Sequence, residues 1–226
     1  MSSGSKNDPQ SLRRSVESLT TELLAVYEEL ALLHSLSAKI GPLTEESHIA
    51  AVALREAMET LHADCGWVAL REGENLRVPP SCRVAVAPEI VERVQAAVLG
   101  PMQDGGKSQV VSDALEQDYD VIHCGSLARF LASCLPAGGE CRGYLCRGRR
   151  AQGRIFTSAD QKLVNAVASL TAVALDNVRL RRSELENARL EYELELARGV
   201  QQGLLPRGDF ASCDFLQARG VSLPCY

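Results

Sequence analysis

Apolar residues recur every three or four positions along the first forty residues of the chain. From Leu12 onwards the spacing alternates between four and three, a heptad repeat in which only Ser37 is polar. The apolar positions are Leu12, Val16, Leu19, Leu23, Val26, Leu30, Leu33 and Ile40. A heptad sustained over this length is typical of a coiled-coil seam. The pattern predicts a helix over residues 9–41 that pairs two copies of the chain in a homodimer, with packing against its own domain as the alternative.

A longer helix is predicted near the other end, from Phe156 to Pro206. Thr157 and Asp160 have the spacing of a capping box, and no proline follows them before Pro206. The residues predicted to face inward and close a domain are Leu163, Val167, Leu170 and Ala174. Because the segment is far longer than an ordinary globular helix, its remainder is predicted to reach a partner chain or a second domain.

Helical and strand periods alternate between these two helices. The apolar stripe at Ala50, Leu54, Met58 and Leu61 predicts a helix capped by Thr44, and a helix opened by Pro88 is predicted to end at Gly100-Pro101. Strands are predicted at residues 65–70, 76–78, 109–111, 129–135 and 141–147. The first strand is predicted to be half-buried, Asp113 to cap a brief helix, and residues 148–153 to form a basic loop.

The last two predicted strands are joined by Pro136-Ala137-Gly138-Gly139, which is a hairpin signal. Strands that follow one another in hairpins favour an antiparallel sheet, whereas strands that alternate with helices favour a parallel one. The predicted fold class is therefore α+β, an antiparallel sheet flanked by helices.

Composition narrows the classes of function. Hydrophobic residues make up 46% of the chain and aromatic residues only 4%, which predicts an aliphatic core. A net charge of -5 argues against a nucleic-acid partner, because such surfaces carry a basic excess. Residues 1–8 are predicted to be disordered and lack a signal sequence, and the longest apolar run, Ala166–Leu175, is too short to span a membrane. A cytoplasmic protein with no membrane contact is expected.

The eight cysteines carry a further prediction. They are Cys65, Cys82, Cys124, Cys134, Cys141, Cys146, Cys213 and Cys225. In a cytoplasmic protein they are expected to be reduced thiols. No Cys-x-x-Cys pair is present, so no metal site is predicted, although His123 precedes Cys124. Cys134 and Cys146 fall in predicted strands, where a cysteine is usually a small buried residue.

Several segments, in this order, resemble a GAF domain, a sensory relative of the PAS fold. They are the strand Gly66–Leu70, the segment Val110–Asp113, the hairpin Phe130–Arg147 and the helix start Phe156–Asp160. The resemblance implies a GAF domain over residues 42–180, followed by a signalling helix over residues 181–206.

A GAF domain typically binds a small ligand between its sheet and the helix-loop segment over one face. The resemblance therefore implies an unidentified small-molecule ligand, with no recognised cofactor. The candidate pocket residues are Trp67, Asp113, Tyr119, Asp120, His123 and Arg129. The cyclic-nucleotide residue set of the family is not found here. A sealed, ligand-free dimerisation domain remains the alternative.

The tail carries a second resemblance. Leu194–Pro206 and Phe215–Tyr226 look like the entry segment of the metal-dependent serine/threonine phosphatases related to stage II sporulation protein E. Those proteins hold two metals with a Gly-Gly-Asp motif and other carboxylates, and residues 207–226 contain neither that motif nor an acidic cluster after it. The tail is therefore interpreted as a truncated phosphatase start, and neither catalytic residues nor enzymatic activity are predicted for this chain.

Together these features predict a dimeric sensory module that signals through a helical stalk to a phosphatase. Gly199 and Gly203 each cost about 1 kcal/mol relative to alanine in a helix interior, which indicates a deliberately weak junction before Pro206. A cysteine-based redox sensor, or an enzyme like the free methionine sulfoxide reductases that share the GAF fold, is the second alternative.

Overall fold

The structure is a computed structural model that describes residues 9–104, 106–119 and 127–204. Its helices are α1 (Pro9–Ile40), α2 (Glu46–Leu61), α3 (Pro88–Val94), α4 (Gly100–Asp104), α5 (Leu115–Tyr119) and α6 (Ser158–Leu204). Its strands are β1 (Cys65–Glu72), β2 (Asn75–Arg77), β3 (Arg83–Val84), β4 (Gln109–Ser112), β5 (Leu127–Ala137) and β6 (Glu140–Arg150). The chain divides into two compact units, one ending at Val178 and the other beginning at Arg179. The predicted disordered segment 1–8 and the predicted phosphatase start 207–226 lie outside the described residues.

The six strands of the described residues form one antiparallel sheet. Its order is β2-β1-β6-β5-β4, and β3 pairs with β1 beside this path. The longest hairpin joins β5 to β6 through Gly138 and Gly139, whose φ angles of 59° and 84° lie in the left-handed region that glycine adopts at the lowest cost. The predicted hairpin and the predicted α+β class, with an antiparallel sheet flanked by helices, are confirmed.

The sheet separates two hydrophobic clusters. Leu145 on β6 belongs to the cluster under α1, α2 and α6, whereas its neighbours Tyr144 and Cys146 belong to the cluster under α3, α4 and α5. This alternation follows from the pleat of a strand, which sends successive side chains to opposite faces. Residues 65–70 of β1 are all buried, so the prediction of a half-buried strand is wrong. Helices cover both faces of the sheet there.

The helix α1 has two differently placed halves. Leu36 and Ile40 are buried in the domain's own core, and Leu33 packs against it. Ile40 is therefore a core residue and not a seam residue, because the C-terminal turns of α1 lie against α2. Earlier seam positions are exposed: Val16, Leu19, Leu23, Val26 and Leu30. The side chain of Leu12 lies outside the described residues.

The start of α6 matches the predicted capping box. The backbone N–H of Thr157 donates to Oδ2 of Asp160 at 2.9 Å, and the N–H of Asp160 donates to Oγ1 of Thr157 at 3.2 Å. Of the four residues predicted to face inward, Val167 is fully buried and the other three are only partly buried. The most buried apolar residues of α6 are Val164, Val167, Ala168, Ala172 and Leu175. The inward stripe is therefore rotated slightly from the predicted one.

Three predicted element ends differ from the observed ones. The residue before α2 is Glu45, with no side-chain cap, so the predicted Thr44 cap is wrong. The helix that begins at Pro88 does not stop at Gly100-Pro101, because a π-helical turn over Gln95–Leu99 leads directly into α4. The strand β6 runs to Arg150, into the region predicted as a basic loop, because that part of the chain still pairs with β5.

Within Ser158–Gly203, α6 has a window that is long and apolar enough to cross a membrane by composition. A third of that window is buried inside the protein. The apolar residues of its first half, including Val164, Ala168 and Leu175, pack against the sheet. Core helices can have the same composition, and packing in this domain accounts for the buried part of the window, whereas the rest of the window is not buried.

The hairpin contains a bulge that depends on a glycine. Between the pairs Cys134–Tyr144 and Pro136–Cys141, β6 has one residue more than β5. Gly143 lies in this bulge, and a Cβ built on it would lie 2.2 Å from the carbonyl oxygen of Ala69 on β1. The main chains of β6 and β1 approach too closely at this point for any other residue.

Replacing Gly143 with alanine is expected to lower the free energy of unfolding by about 1–3 kcal/mol, because the added methyl group forces two paired strands apart. Urea denaturation followed by circular dichroism measures the change. Gly100→Ala is the matched control, since its nearest contact would be an ordinary 3.7 Å from the Gln95 carbonyl oxygen. Equal stability of the two variants would contradict the close approach at Gly143.

Candidate functional site

Four of the six predicted pocket residues lie among the described residues, and only two of these, Trp67 and Tyr119, belong to the same hydrophobic cluster. Trp67 is fully buried in the cluster under α3, with its ring centroid 5.5 Å from that of Phe130. Its indole N–H is buried and has no hydrogen-bond partner among the described residues. Tyr119 at the end of α5 packs against the same cluster. Asp120 and His123 lie outside the described residues.

Arg129 stabilises the turn between β6 and α6. One of its guanidinium nitrogens, Nη1, donates to the carbonyl oxygens of Arg150 at 3.1 Å, Ala151 at 2.6 Å and Gly153 at 2.6 Å. These carbonyls belong to the turn between β6 and α6, and Arg129 satisfies them where the chain leaves the sheet. The structure therefore gives Arg129 a structural position, which the sequence pattern did not predict.

A cleft of about 560 Å³ opens beside α5 and contains one of the predicted residues, Asp113. It is lined by Asp113, Ala114, Leu115, Glu116 and Gln117 from the α5 segment and by Leu127, Ala128, Arg150, Ala151 and Gln152 from the hairpin and the following turn. Leu115 and Leu127 are buried apolar residues, whereas Asp113, Glu116 and Arg150 bring charge. An apolar base with a few polar groups and this volume suits a small-molecule ligand.

The α5 segment is positioned by Ser112 at the end of β4. The Ser112 hydroxyl donates to Oδ2 of Asp118 at 2.5 Å and accepts the backbone N–H of Ala114 at 3.3 Å. Both hydrogen bonds tie the first turn of α5 to the sheet. The predicted capping role of Asp113 therefore belongs to Ser112, because its hydroxyl makes these bonds, and Asp113 lines the cleft.

A second polar cluster surrounds Arg149, next to a cavity of about 400 Å³ lined by His62, Asp64, Arg149, Gly153 and Arg154. Arg149 is 2% exposed. Its guanidinium donates to the carbonyl oxygens of Leu61, Arg154 and Ile155, lies 3.5 Å from Oδ2 of Asp160, and stacks 4.1 Å from the centroid of the Phe156 ring. Arg149 thus joins the end of α2, the last turn before α6 and the capping box of α6.

Burial and the nearby negative charge shift the pKa of Arg149 in opposite directions. Burial lowers the pKa of its guanidinium, and the carboxylate of Asp160 acts to raise it. Asp160 is itself buried and also pairs with Arg154, whose Nη2 donates at 3.0 Å. One buried carboxylate therefore pairs with two guanidinium groups and accepts a backbone N–H at the start of α6.

Arg147 lies on the same face of β6 and has no such partners. It is fully buried, and all three of its guanidinium nitrogens lack a hydrogen-bond partner among the described residues. Burial, together with the nearby Arg149, lowers the pKa of Arg147 to about 9, although Cys146 and Asp160 act in the opposite direction. A buried charge without hydrogen bonds is costly, so Arg147 is the least satisfied group that the structure describes.

The described cysteines fall into two groups. Cys134 and Cys141 form a disulfide across the β5–β6 hairpin, so the prediction that every cysteine is a reduced thiol is wrong for this pair. The bulge at Gly143 sets their Cα atoms 5.8 Å apart, within the range that a disulfide spans. Cys65, Cys82 and Cys146 are free and buried, so Cys146 is the small buried residue that the strand pattern predicted, whereas Cys134 is only half-buried.

The three buried thiols are expected to be inert in the native protein. Desolvation raises the pKa of Cys65 to about 11 and also raises the pKa of Cys82 and Cys146. At pH 8 a thiol of pKa 11 is a thiolate in roughly one molecule in a thousand, and the thiolate is the reactive form. Alkylation by iodoacetamide at pH 8, followed by peptide mass spectrometry, should label these residues only after denaturation. Fast labelling of Cys146 in the native state would contradict its burial.

Sequence reasoning missed the two residues that are electrostatically most unusual. The alternation Leu145, Arg147, Arg149 places both guanidinium groups on the face that carries Leu145, and a strand extended to Arg150 would have revealed it. Glu116, Arg150 and Gln152 of the cleft carried no signal, because they come together only through the fold. Among the described residues there is no group of three histidine, cysteine or acidic side chains that could hold a metal ion.

The sheet order and the helices on both faces are those of GAF domains, as solved structures show. The GAF domain of a putative sensor histidine kinase from Pseudomonas syringae pv. tomato matches with a TM-score of 0.57 and 15% identity, over 75% of this chain and 99% of that one. The GAF domain of a phosphoenolpyruvate-protein phosphotransferase from Acinetobacter matches with a TM-score of 0.57 and 12% identity, over 68% and 95%.

A third similar structure is an enzyme. Free methionine-R-sulfoxide reductase from Neisseria meningitidis, solved with its substrate, matches with a TM-score of 0.54 and 16% identity, over 68% of this chain and 91% of that one. No protein-family model matches this chain, and no curated protein matches it. The likeness to solved structures therefore establishes the GAF fold alone.

Proposed function

We propose that this chain is a regulatory sensory module in which a GAF domain controls an output domain through α6. The observation that carries the proposal is the composition of this helix along its length. Its first turns are anchored by the capping box, and one face of the helix up to Leu175 lies in the core, whereas residues 179–203 include many exposed apolar side chains. Sensor kinases, chemotaxis proteins and phosphotransferases are the proteins in which the similar GAF domains occur.

The input is proposed to be a small molecule that binds the cleft beside α5. Asp113 and Glu116 favour a ligand with a cationic or hydrogen-bond-donating group, and Arg150 offers a site for one anionic group. A thermal-shift screen of amines, amino acids and nucleotides tests this, since a specific ligand raises the melting temperature in proportion to its occupancy. A ligand whose stabilising effect is unchanged by Glu116→Gln and Arg150→Gln would place binding elsewhere. A screen without any ligand would favour the dimerisation module.

The module is proposed to act as a parallel homodimer through the exposed seam of α1. Val16, Leu23 and Leu30 are each more than half exposed, although their heptad spacing is that of a coiled coil. Introducing Glu at Leu23 and Leu30 should convert a dimer to a monomer in sedimentation velocity experiments. Leu24→Glu is the matched control, because Leu24 is equally exposed but lies outside the heptad. If the wild-type protein were a monomer at high micromolar concentration, the proposed dimer contact through α1 would be wrong.

The output is proposed to be a metal-dependent serine/threonine phosphatase of the kind that residues 194–226 resemble. Residues 1–226 alone are expected to have no activity on a phosphoserine peptide with Mn²⁺, whereas a phosphatase domain joined to them is expected to be regulated. A Cβ built at Gly199 or Gly203 would meet nothing within 4 Å among the described residues beyond the helix's own backbone, so replacement by alanine stiffens the helix without adding contacts. Regulation that survives the double alanine variant unchanged would refute the weak junction.

A cysteine-based enzyme is the second candidate, and the disulfide between Cys134 and Cys141 favours it. The similar reductase from Neisseria meningitidis shows that the fold can hold a methionine sulfoxide substrate. Reduction of free methionine-R-sulfoxide, coupled to thioredoxin and NADPH, distinguishes the two proposals. The sensory module predicts no turnover, and turnover abolished by Cys141→Ser would establish the enzyme.

A further inference from the structure

The disulfide pair differs from the other described cysteines in its exposure. Cys134 and Cys141 are half-buried near the turn of the hairpin, whereas Cys65, Cys82 and Cys146 are buried in the core. We propose that Cys134 and Cys141 form a reversible thiol–disulfide site whose redox state is transmitted to α6 through Arg142 and Asp176. This proposal depends neither on the ligand nor on the output domain proposed above.

The disulfide contributes little to the stability of the hairpin. The cysteines are seven residues apart, and the strand pairs Cys134–Tyr144 and Ala137–Glu140 already close the same stretch of chain. A disulfide stabilises mainly by restricting the unfolded chain, and this effect is smallest for short loops. A hairpin with a glycine turn and paired residues on both sides of its bulge does not require the disulfide in order to fold.

The bulge is the feature that brings the two sulfurs together. The extra residue on β6 sets Cys141 opposite Pro136, so that its side chain reaches diagonally to Cys134. Bulges commonly redirect a side chain in this way. Gly143 is the residue that permits the bulge, because a side chain at that position would collide with β1. The geometry of the pair is thus built into the hairpin.

Cys141 is the second residue of β6, next to the hairpin turn, and Nη1 of Arg71 donates to its carbonyl oxygen at 3.4 Å. Both cysteines of the pair are half-buried, so both are open to solvent in part. The thiolate is the form that undergoes exchange. We take Cys141 as the attacking cysteine, because it is the member of the pair that lies nearer to the turn.

The route to α6 is a single side chain. Cys134 and Cys141 pack against the cluster under α3, and Arg142 leaves the strand on the opposite face. Its Nε lies 3.5 Å from Oδ1 of Asp176 on α6, while its Nη1 lies 3.5 Å from Oε2 of Glu140. A displacement of Cys141 on reduction moves the adjacent Arg142 and alters its partition between these two carboxylates. The face that would sense the signal is thereby connected to the output helix.

The exchange with a low-molecular-weight disulfide such as oxidised glutathione is balanced in two steps. The Cys141 thiolate attacks one sulfur of glutathione disulfide, which forms a mixed disulfide and releases one glutathione thiolate. The Cys134 thiol then loses its proton, and its thiolate attacks the Cys141 sulfur and displaces the second glutathione. Two protein thiols are oxidised, one small disulfide is reduced to two thiols, and the reverse sequence opens the bond.

The first test measures the redox equilibrium of the pair in the whole chain. The protein is equilibrated in buffers of reduced and oxidised glutathione, quenched with acid and alkylated, and the peptides are quantified by mass spectrometry. We expect the Cys134–Cys141 cross-link to appear and disappear reversibly across these buffers. Cys65→Ala is the control and should leave this transition unchanged. A pair that stays reduced throughout, or oxidation at other cysteines in its place, would overturn the site.

The second test measures transmission by hydrogen exchange of the amides at residues 170–178, in the oxidised and the reduced protein. We expect exchange at these amides to differ severalfold between the two states. Arg142→Gln should preserve the redox transition but remove the difference in α6, and thermal melting checks that the variant is folded. Identical exchange in the two states of the wild-type protein would overturn the transmission. An effect that persists in Arg142→Gln would also overturn the proposed route.

Discussion

Replacement of Arg149 by methionine is expected to lower the free energy of unfolding by about 3–5 kcal/mol, the range for breaking a buried ion pair. Methionine fills a similar volume but leaves the carbonyl oxygens of Leu61, Arg154 and Ile155 without their donor. It also removes the stacking on Phe156 and one of the two cations that face Asp160. Chemical denaturation with guanidinium chloride, followed by tryptophan fluorescence of Trp67, measures the loss.

Arg154→Met is the matched control for this prediction. Arg154 contacts the same carboxylate, but its side chain is 62% exposed and its interaction is screened by water. We therefore expect its removal to cost less than about 1 kcal/mol. If the two variants lost equal stability, the contribution of Arg149 would come from its charge near Asp160 alone and not from its role as a buried donor.

The parts of the fold that follow from local interactions could be predicted from the sequence. The capping box needs only Thr157, Asp160 and the backbone between them, and both of its hydrogen bonds form as expected. The hairpin turn similarly depends on Gly138 and Gly139, which accept left-handed backbone angles. The local conformation that such short-range signals favour does not depend on the tertiary contacts of the rest of the chain.

The identity of a hydrophobic partner could not be predicted, because a heptad does not specify what covers it. Ile40 continues the repeat that begins at Leu12, yet it packs inside the domain. Leu36 was outside the predicted seam and is fully buried. The helical period of the sequence indicates which side of α1 is apolar. How much of that side packs inside the domain, and how much stays exposed, depends on the position of α2.

The candidate site was predicted least well for the same reason. Trp67 and Arg129 were selected for their chemistry, but a ring in a packed cluster and a guanidinium bound to three carbonyls are already engaged. Asp113 lies beside a cleft, and its role in ligand binding stays a prediction. Half of the cleft is formed by Asp113 and the residues that follow it, whereas the other half comes from the end of the hairpin far from its turn and depends on the tertiary fold.

Arg147→Met is expected to have the opposite effect to Arg149→Met and to raise the free energy of unfolding by about 1–4 kcal/mol, as found when buried ionic groups are replaced by hydrophobic ones. The guanidinium of Arg147 makes no hydrogen bond among the described residues, and its neighbours on the same face include Leu131 and Leu145. Methionine has a similar length and adapts to irregular apolar space. Denaturation at pH 7 measures the gain, and Arg147→Lys, which keeps a buried charge, should show none.

The pH dependence of the free energy of unfolding tests independently whether the buried charge of Arg147 causes the loss of stability. The folded-state pKa of Arg147, about 9, lies well below the value that the guanidinium has in the unfolded chain. The cost of burying the charge is therefore fully present below pH 9 and declines as the pH rises above it, where the unfolded chain binds the additional proton. The stability difference between Arg147→Met and the wild type should narrow between pH 9 and pH 10.5. A methionine variant that is less stable than the wild type would contradict the prediction, because the packing of the guanidinium in the core would then outweigh the cost of burying its charge.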